Sequence, residues 1–159
     1  MALAVAQCLR DAGRRQPGGR HPDLLVLISP WLDVTVRDPR SREIEPSDPM
    51  LAIAGLRDAG IAYAGELERT DPRVSPLHGD LSELPPVLCF TGGADVLHPD
   101  ALALAKKLHV DGNAGAVDLE LVESEFHVYP LLPTRAGALA RARIFRHVEA
   151  VASRHRPLV

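Results

Sequence analysis

Two stretches of this chain are apolar at nearly every position, and they limit the folds that the chain can adopt. They are LLVLIS, from Leu24 to Ser29, and VLCFT, from Val87 to Thr91. A strand with one face in water alternates apolar and polar residues, whereas a strand covered on both faces does not. Both stretches therefore predict strands of a parallel sheet with helices on each side. A third predicted strand, Val117 to Val122, alternates acids with valine and leucine, which is typical of a strand nearer the sheet edge.

Helical patterns lie between and around these strands. The four predicted helices run from Ala2 to Ala12 with a stop at Gly13, from a cap at Asp48 and Pro49 to about Gly60, from Pro99 to Gly112, and from about Thr134 to Ser153. Alanine and leucine dominate the first helix, so we expect most of its surface to be buried. The alternation predicts a doubly wound α/β fold, with a sheet of about three or four strands, in a single domain over residues 1–159.

The last predicted helix has two sides of different character. The side expected to face the core carries Leu139, Ile144, Phe145, Val148 and Val151. The side expected to face solvent carries Arg135, Arg141, Arg143 and Arg146.

Composition and charge argue against several classes of function. Of the 159 residues, 46% are hydrophobic and 25% are charged, and the net charge of −3 gives no basic excess for nucleic acid or an anionic membrane. No apolar run approaches the roughly 20 residues of a membrane span, and MALAVAQCLRDAGRR lacks the charged start and cleavage site of a signal peptide. Cys8 and Cys89 each lie in an apolar run, so both are predicted to be buried thiols, which suits a cytoplasmic protein.

Asp95 and His127 each follow a predicted strand. The carboxyl ends of parallel strands meet at one edge of the sheet, where such folds bind ligands. An imidazole that takes a proton from a weak nucleophile needs a carboxylate to hold its tautomer and to stabilise the imidazolium. An acid followed by a histidine also matches the chain order of α/β hydrolases, in which the nucleophile comes first. The pair is therefore the candidate acid and base of a Ser-Asp-His triad.

Each of these residues also has a purely structural interpretation. An aspartate after Gly92-Gly93 is a common turn former, and a histidine between aromatic residues is often a hydrogen-bonded core side chain. His98 is interpreted as a cap of the helix that begins at Pro99. The histidines lack the spacing of a metal site, and TGGAD lacks the glycine spacing and lysine of a phosphate loop, so no metal or cofactor is predicted.

Three segments of the chain resemble the hormone-sensitive-lipase-like esterases, a family of α/β hydrolases (α/β hydrolase fold-3). Residues 24–35 are similar to the family's sixth strand and following loop, residues 71–108 to its acid-bearing strand and helix, and residues 125–133 to its histidine loop. The resemblance covers nearly the whole chain as the carboxyl-terminal half of such an enzyme. It implies that Asp95 is the triad acid, that His127 is the base, and that residues 30–84 include the loop and helix of the cap-side connection.

The resemblance also implies that the catalytic serine is absent from this chain. In the family, the serine lies in a Gly-Asp-Ser-Ala-Gly-Gly turn before an alanine-rich helix, and here that helix begins at Met1 without the turn. The family's His-Gly-Gly-Gly oxyanion segment is not found either, and Ser124 stands where many members have glycine. The serines of the chain are Ser29, Ser41, Ser47, Ser75, Ser82, Ser124 and Ser153. None has the flanking glycines of a nucleophile turn.

Two functions remain open from the sequence. In the first, the chain supplies the acid and histidine of a carboxylic-ester hydrolase that acts on a small acyl ester without a cofactor. An amino-terminal half would then provide the serine, and the isolated chain would be inactive. In the second, the chain is a non-catalytic remnant of a hydrolase that forms homodimers or binds another protein, because a sheet edge and an apolar helix would otherwise lack cover.

Overall fold

The computed structural model describes residues 1–15, 21–110 and 117–154. Its sheet consists of three parallel strands: β1 (Leu25–Ile28), β2 (Val87–Gly92) and β3 (Val117–Val122). Strand β2 lies between the other two, with Val87 beside Leu25 of β1 and Val117 of β3. The predicted parallel α/β arrangement is confirmed, and β3 lies at an edge of this sheet as its alternation indicated.

Five helices accompany the sheet. They are α1 (Ala2–Arg15), α2 (Pro39–Ile44), α3 (Ile53–Ala64), α4 (His98–Val110) and α5 (Arg135–Arg154). Short 3₁₀ turns cover Glu45–Ser47, Pro76–His78 and Tyr129–Leu131. Gly112, the predicted end of the third helix, lies outside the described residues. Helix α2 is an addition to the predicted set, because its six residues are too few to show a helical apolar period.

Strand β2 is buried along its whole length and divides the core in two. Val87 and Cys89 point to one side, where they pack with Leu3 of α1 and Leu104 of α4. Leu88 and Phe90 point to the other side, where they pack with Tyr129 and the Ala140 turn of α5. Side chains of a strand alternate between its two faces, so a strand with helices on both sides must be apolar at every position.

Helix α1 differs from its prediction, because only one stripe of its surface is buried. That stripe contains Leu3, Ala6, Gln7 and Arg10. The buried Gln7 amide donates to the carbonyl oxygen of Pro76 (3.0 Å), and the Arg10 guanidinium donates to the carbonyl oxygen of Ser82 (2.8 Å). Gly13 does not end the helix, since the helix continues to Arg15.

The region after Asp48 also corrects a prediction. Helix α3 begins at Ile53 rather than at Pro49 and continues to Ala64 rather than Gly60. The Asp48 carboxylate accepts from the backbone N–H groups of Met50 and Leu51, at 2.8 and 3.0 Å, and so caps a turn that precedes the helix.

Helix α5 packs mainly through its small residues, which corrects part of the prediction for its two sides. Ile144 packs against the core and Arg135 and Arg146 are exposed, as predicted. Gly137 and Ala140 are buried, whereas Leu139, Phe145 and Val148 are exposed. Two of the arginines predicted to face solvent are bound to protein groups. Arg143 pairs with Glu120 of β3 at 2.6 Å, and Arg141 donates to the carbonyl oxygen of Pro130 at 2.6 Å.

The two cysteines differ in environment. Cys89 is buried in β2, and burial raises the pKa of its thiol to about 12, so the thiol stays protonated. Cys8 lies on the exposed side of α1, so the prediction that it is buried was wrong. Within the described ranges, no helix is long and apolar enough to cross a bilayer.

Paired leucine substitutions test this division of buried and exposed helix positions. Leu104→Ala in α4 removes a fully buried side chain and is expected to lower the free energy of unfolding by about 2–5 kcal/mol. The matched Leu139→Ala in α5 removes a side chain that is 63% exposed and should change it by less than about 0.5 kcal/mol. Urea denaturation followed by circular dichroism measures both values. Equal losses would contradict the position of α5 described above.

Candidate active site

Asp95 lies in the turn that follows the central strand. Strand β2 ends at Gly92, and the Asp95 N–H donates back to the Gly92 carbonyl oxygen at 3.3 Å. The Asp95 side chain is completely buried, and its Oδ1 accepts from the Leu97 N–H at 2.9 Å. The Asp95 carbonyl oxygen accepts from the N–H of His98, the first residue of α4. The aspartate is therefore held between the end of a buried strand and the start of a helix.

His127 lies in the loop after β3 and faces Asp95. Its Nδ1 is 3.2 Å from each of the two carboxylate oxygens of Asp95. The imidazole is 17% exposed, and the carboxylate is inaccessible. A hydrogen bond from Nδ1–H to a buried carboxylate leaves the second ring nitrogen, Nε2, unprotonated and able to accept a proton. The structure thus brings together the two residues that the sequence singled out.

The contact depends on two glycines whose role the sequence did not reveal. A Cβ added at Gly92 would collide with the Glu125 carbonyl oxygen, and one at Gly93 would lie 2.6 Å from the Glu123 carbonyl oxygen. The Ala94 N–H donates to that Glu125 oxygen at 2.9 Å. The backbone of the histidine loop therefore lies directly against the turn that carries the aspartate, and only residues without a side chain allow this approach.

Among the residues that the structure describes, the other histidine singled out in the sequence and the seven serines form no hydrogen bond with the His127 ring. His98 begins α4, and its Nδ1 is 3.4 Å from Thr91 Oγ1; it does not cap the helix with its side chain. Burial lowers the pKa of His98, which favours its neutral form. In the described part of the chain, the hydrogen bonds of the His127 ring involve Asp95 alone, so none of the seven serines donates to it. In that same part, no group of three or more His, Cys, Asp and Glu side chains could hold a metal ion.

Asp100, in the first turn of α4, is a second buried carboxylate. Its Oδ2 accepts from the N–H groups of Leu32 and Asp33 at 2.7 and 2.8 Å, which ties the loop after β1 to the first turn of α4. Burial raises the pKa of Asp100 to about 7, although these two donors favour its ionised form. Asp33 in turn pairs with His78 at 3.1 Å. An acid in the first turn of a helix was the only sequence signal for this network.

An apolar cavity of about 540 Å³ opens beside the carboxyl end of β1. Its lining includes Trp31, Tyr63 and Val74, and Ser29 forms part of the wall. Ser29 Oγ accepts from the N–H of Val128, the residue after His127. One wall residue of the cavity, Ser29, therefore contacts the histidine loop, and the cavity has the size and polarity to hold an apolar group.

Comparisons with known proteins agree on one family. Residues 1–131 match a family model described as an alpha/beta hydrolase fold. An acetyl-hydrolase of Streptomyces hygroscopicus is 34% identical over 149 residues, which cover 91% of this chain and 48% of that protein.

Two solved structures have the same arrangement of elements. An esterase/lipase from an uncultured bacterium is 30% identical with a TM-score of 0.78, and the match covers 95% of this chain and 49% of that one. An esterase from the bacterial hormone-sensitive lipase family is 30% identical with a TM-score of 0.77, and the match covers 90% and 47%. The chain therefore spans about half the length of the relatives that it matches.

A glycine-to-alanine pair tests the close approach of the two loops. Gly92→Ala should push the histidine loop away from the Asp95 turn and lower the free energy of unfolding by about 1–3 kcal/mol, because a well-packed region cannot absorb an extra methyl group. Gly55→Ala, in α3, meets no atom within 4 Å. This control should stabilise the protein by about 0.5–1 kcal/mol, because alanine loses less entropy in a helix than glycine. Denaturation curves of the two variants provide the comparison. An unchanged free energy of unfolding in Gly92→Ala would exclude the close contact between Gly92 and the histidine loop.

Proposed function

Because this chain belongs to the α/β hydrolase fold family, we propose that it takes part in carboxylic-ester hydrolysis, with His127 as the general base and Asp95 as the residue that orients it. The family assignment confirms the resemblance seen in the sequence. The relative found by sequence is named as an acetyl-hydrolase, and the two similar solved structures are named as esterases. The observation that carries the proposal is the contact between His127 Nδ1 and the buried Asp95 carboxylate.

The proposed reaction follows from the contact between the His127 ring and the Asp95 carboxylate. His127 Nε2 takes the proton of a serine hydroxyl as the serine oxygen attacks the ester carbonyl carbon. The imidazolium then gives that proton to the alcohol oxygen as the carbon–oxygen bond breaks, which leaves an acyl-serine. Water, activated by the same nitrogen, releases the carboxylic acid and restores the serine. Asp95 stays ionised throughout and stabilises the imidazolium, and no cofactor enters the reaction.

We place the nucleophile outside these 159 residues. Ser41 and Ser75 donate their hydroxyl groups to backbone carbonyl oxygens, while Ser29 accepts from a backbone N–H. Buried serines with such contacts are structural rather than reactive. The chain spans about half the length of its relatives, so the serine and the oxyanion donors are assigned to the part of the enzyme that the other half of those relatives represents.

The proposed substrate is a small acyl ester. The apolar cavity next to Ser29 supports an apolar acyl or alcohol group, and the name of the Streptomyces hygroscopicus relative points to short acyl chains. Cys8 and Cys89 are both free, which supports a reducing compartment, and the cytoplasm remains our prediction for its location.

Complementation of activity tests this function. The 159-residue chain alone should hydrolyse p-nitrophenyl butyrate no faster than buffer, because it supplies no nucleophile. Co-expression with the amino-terminal half of the Streptomyces hygroscopicus relative should restore turnover. In that complex, Asp95→Asn should reduce kcat by about 10⁴-fold, since loss of the carboxylate leaves the imidazole in the wrong tautomer, and His127→Ala by at least as much.

The matched control for these variants is His109→Ala. His109 is an exposed histidine at the end of α4, so its loss should leave kcat of the complex unchanged. Full activity of His127→Ala in an active complex would refute the role of the pair. If the purified chain alone hydrolysed the ester, the assignment of the nucleophile to another part of the enzyme would be refuted.

A second candidate function, self-association, rests on an apolar surface at the β1 side of the sheet. Met1, Val5 and Leu9 of the α1 region are 79%, 49% and 41% exposed, and β1 pairs only with β2 in the described part of the chain. Apolar groups grouped on one face and an open strand edge favour association with another chain. In this interpretation the chain is a non-catalytic module that dimerises.

Light scattering tests self-association by measuring the mass of the isolated chain in solution. The isolated chain should have at least twice the mass of a monomer, because apolar area at the α1 face leaves water on association. Val5→Lys combined with Leu9→Lys should shift it to the monomer, whereas Val110→Lys, at a position 73% exposed at the end of α4, should not. A monomeric wild-type chain would rule out self-association.

A further inference from the structure

The residues that directly follow Asp95 and His127 share an unusual feature. They are Val96 and Val128, and the peptide groups of both are bound by side chains that come from residues 29–48. That segment lies 48 or more residues before Val96 in the chain, and the sequence predicted only a strand end at Ser29 and a helix cap at Asp48 there. The ties are therefore tertiary contacts.

Val128 is held by Ser29. Its N–H donates to Ser29 Oγ at 2.8 Å, across 99 residues of sequence. Ser29 is only 4% exposed, and its own N–H donates to the Phe90 carbonyl oxygen of β2 at 2.8 Å. The hydroxyl is thus fixed to the central strand from which the Asp95 turn emerges.

The backbone of Val128 needs this support. Its φ of 52° is left-handed, a conformation that costs a β-branched residue roughly 1–2 kcal/mol. Strained residues persist where surrounding contacts hold them. Loss of the Ser29 bond would allow the peptide after His127 to relax, and the imidazole would move with it.

Both backbone polar groups of Val96, the N–H and the carbonyl oxygen, are bound by side chains. Its N–H donates to Asp48 Oδ2 at 2.8 Å, and its carbonyl oxygen accepts from Ser41 Oγ at 2.9 Å. Ser41 is 2% exposed, and Val96 is completely buried. The bond from Leu97 N–H to Asp95 Oδ1 sets the shape of the turn, but it does not fix that turn relative to His127.

We propose that Ser29, Ser41 and Asp48 are positioning residues for the His127–Asp95 pair, which they hold in register through Val128 and Val96. The proposal rests on the proposed function for its catalytic consequence, but the geometric claim stands without it. The Nδ1 to carboxylate distances of 3.2 Å exceed the about 2.8 Å of a strong charge-assisted bond, so a small further displacement would break the contact.

The tautomer of His127 provides a direct readout on the 159-residue chain. Long-range ¹H–¹⁵N correlations from the carbon-bound ring protons show which nitrogen carries the proton, in mildly alkaline buffer where an ordinary imidazole is neutral. The wild type should hold the proton on Nδ1, facing Asp95. Ser29→Ala and Ser41→Ala should each shift the population towards the Nε2–H form, and Asp48→Ala should change it in the same direction.

Ser75→Ala is the matched control. Ser75 is fully buried, accepts from the Val34 N–H and donates to the Arg69 carbonyl oxygen, so its loss removes the same kinds of bond away from the pair. It should lower stability as much as Ser29→Ala and leave the tautomer unchanged. An unchanged tautomer in Ser29→Ala and Ser41→Ala would overturn the proposal. An equal shift in Ser75→Ala would also overturn it, because general loosening would then be the cause.

A kinetic measurement separates this inference from the proposed function. In the complemented hydrolase, Ser29→Ala should reduce kcat for p-nitrophenyl butyrate by about 10- to 100-fold with little change in KM, since misplacement of a catalytic group affects the chemical step. A shifted tautomer in a complex whose activity does not depend on His127 would support the positioning claim while refuting the catalytic role. An unchanged kcat in a complex that requires His127 would overturn the positioning claim alone.

Discussion

Strand β2 is covered on both faces and paired along both edges, and the other features of this protein depend on that burial. Helices α1 and α4 cover one face, and α5 covers the other. A strand in this position cannot shift without exposing apolar side chains on two sides, so its carboxyl end is a fixed point. The Asp95 turn begins there, and the histidine loop packs against Gly92, which ends the strand, and against Gly93, which follows it. The distance between imidazole and carboxylate is thus set by main-chain packing around one rigid strand.

Buried polar side chains fix the loops at the carboxyl end of the sheet. Asp100, Ser29, Ser41 and Asp48 each bind backbone groups of a segment far away in sequence. Each such hydrogen bond contributes a net of about 1 kcal/mol to folding stability. Removing the side chain costs more than this, because a buried N–H left without a partner destabilises the protein by about 1–3 kcal/mol. Val96 and Tyr129 also pack in apolar clusters, and these bonds add defined positions for the backbone of their loops. The long connection between β1 and β2 is in this respect part of the site.

The opposite side of the sheet has a different character. Strand β1 is short, and α1 presents apolar side chains to solvent beside it, whereas the α4 side and the Asp95 turn are closely packed. Relatives about twice as long as this chain share its fold over the matched half. The same surface therefore serves both proposed functions, either as the contact with the rest of a hydrolase or as the contact between two copies. The candidate catalytic pair lies on loops beyond β2 and β3, and the Val128 N–H bond to Ser29 Oγ joins the histidine loop to the carboxyl end of β1.

The sequence by itself determined the α/β class, the three parallel strands and the residues of the candidate pair, because continuous apolar runs and turn residues are local signals. It did not show that the stripe of α1 facing the core contains Gln7 and Arg10, or that α5 packs through Gly137 and Ala140 while Leu139 faces solvent. Those outcomes depend on which backbone carbonyl oxygens and which neighbouring helix surfaces lie opposite, and no local pattern encodes them. Only the tertiary structure decided that the Val96 and Val128 peptides are bound by Ser29, Ser41 and Asp48, since these partners are 48 to 99 residues apart and meet only when the sheet has formed.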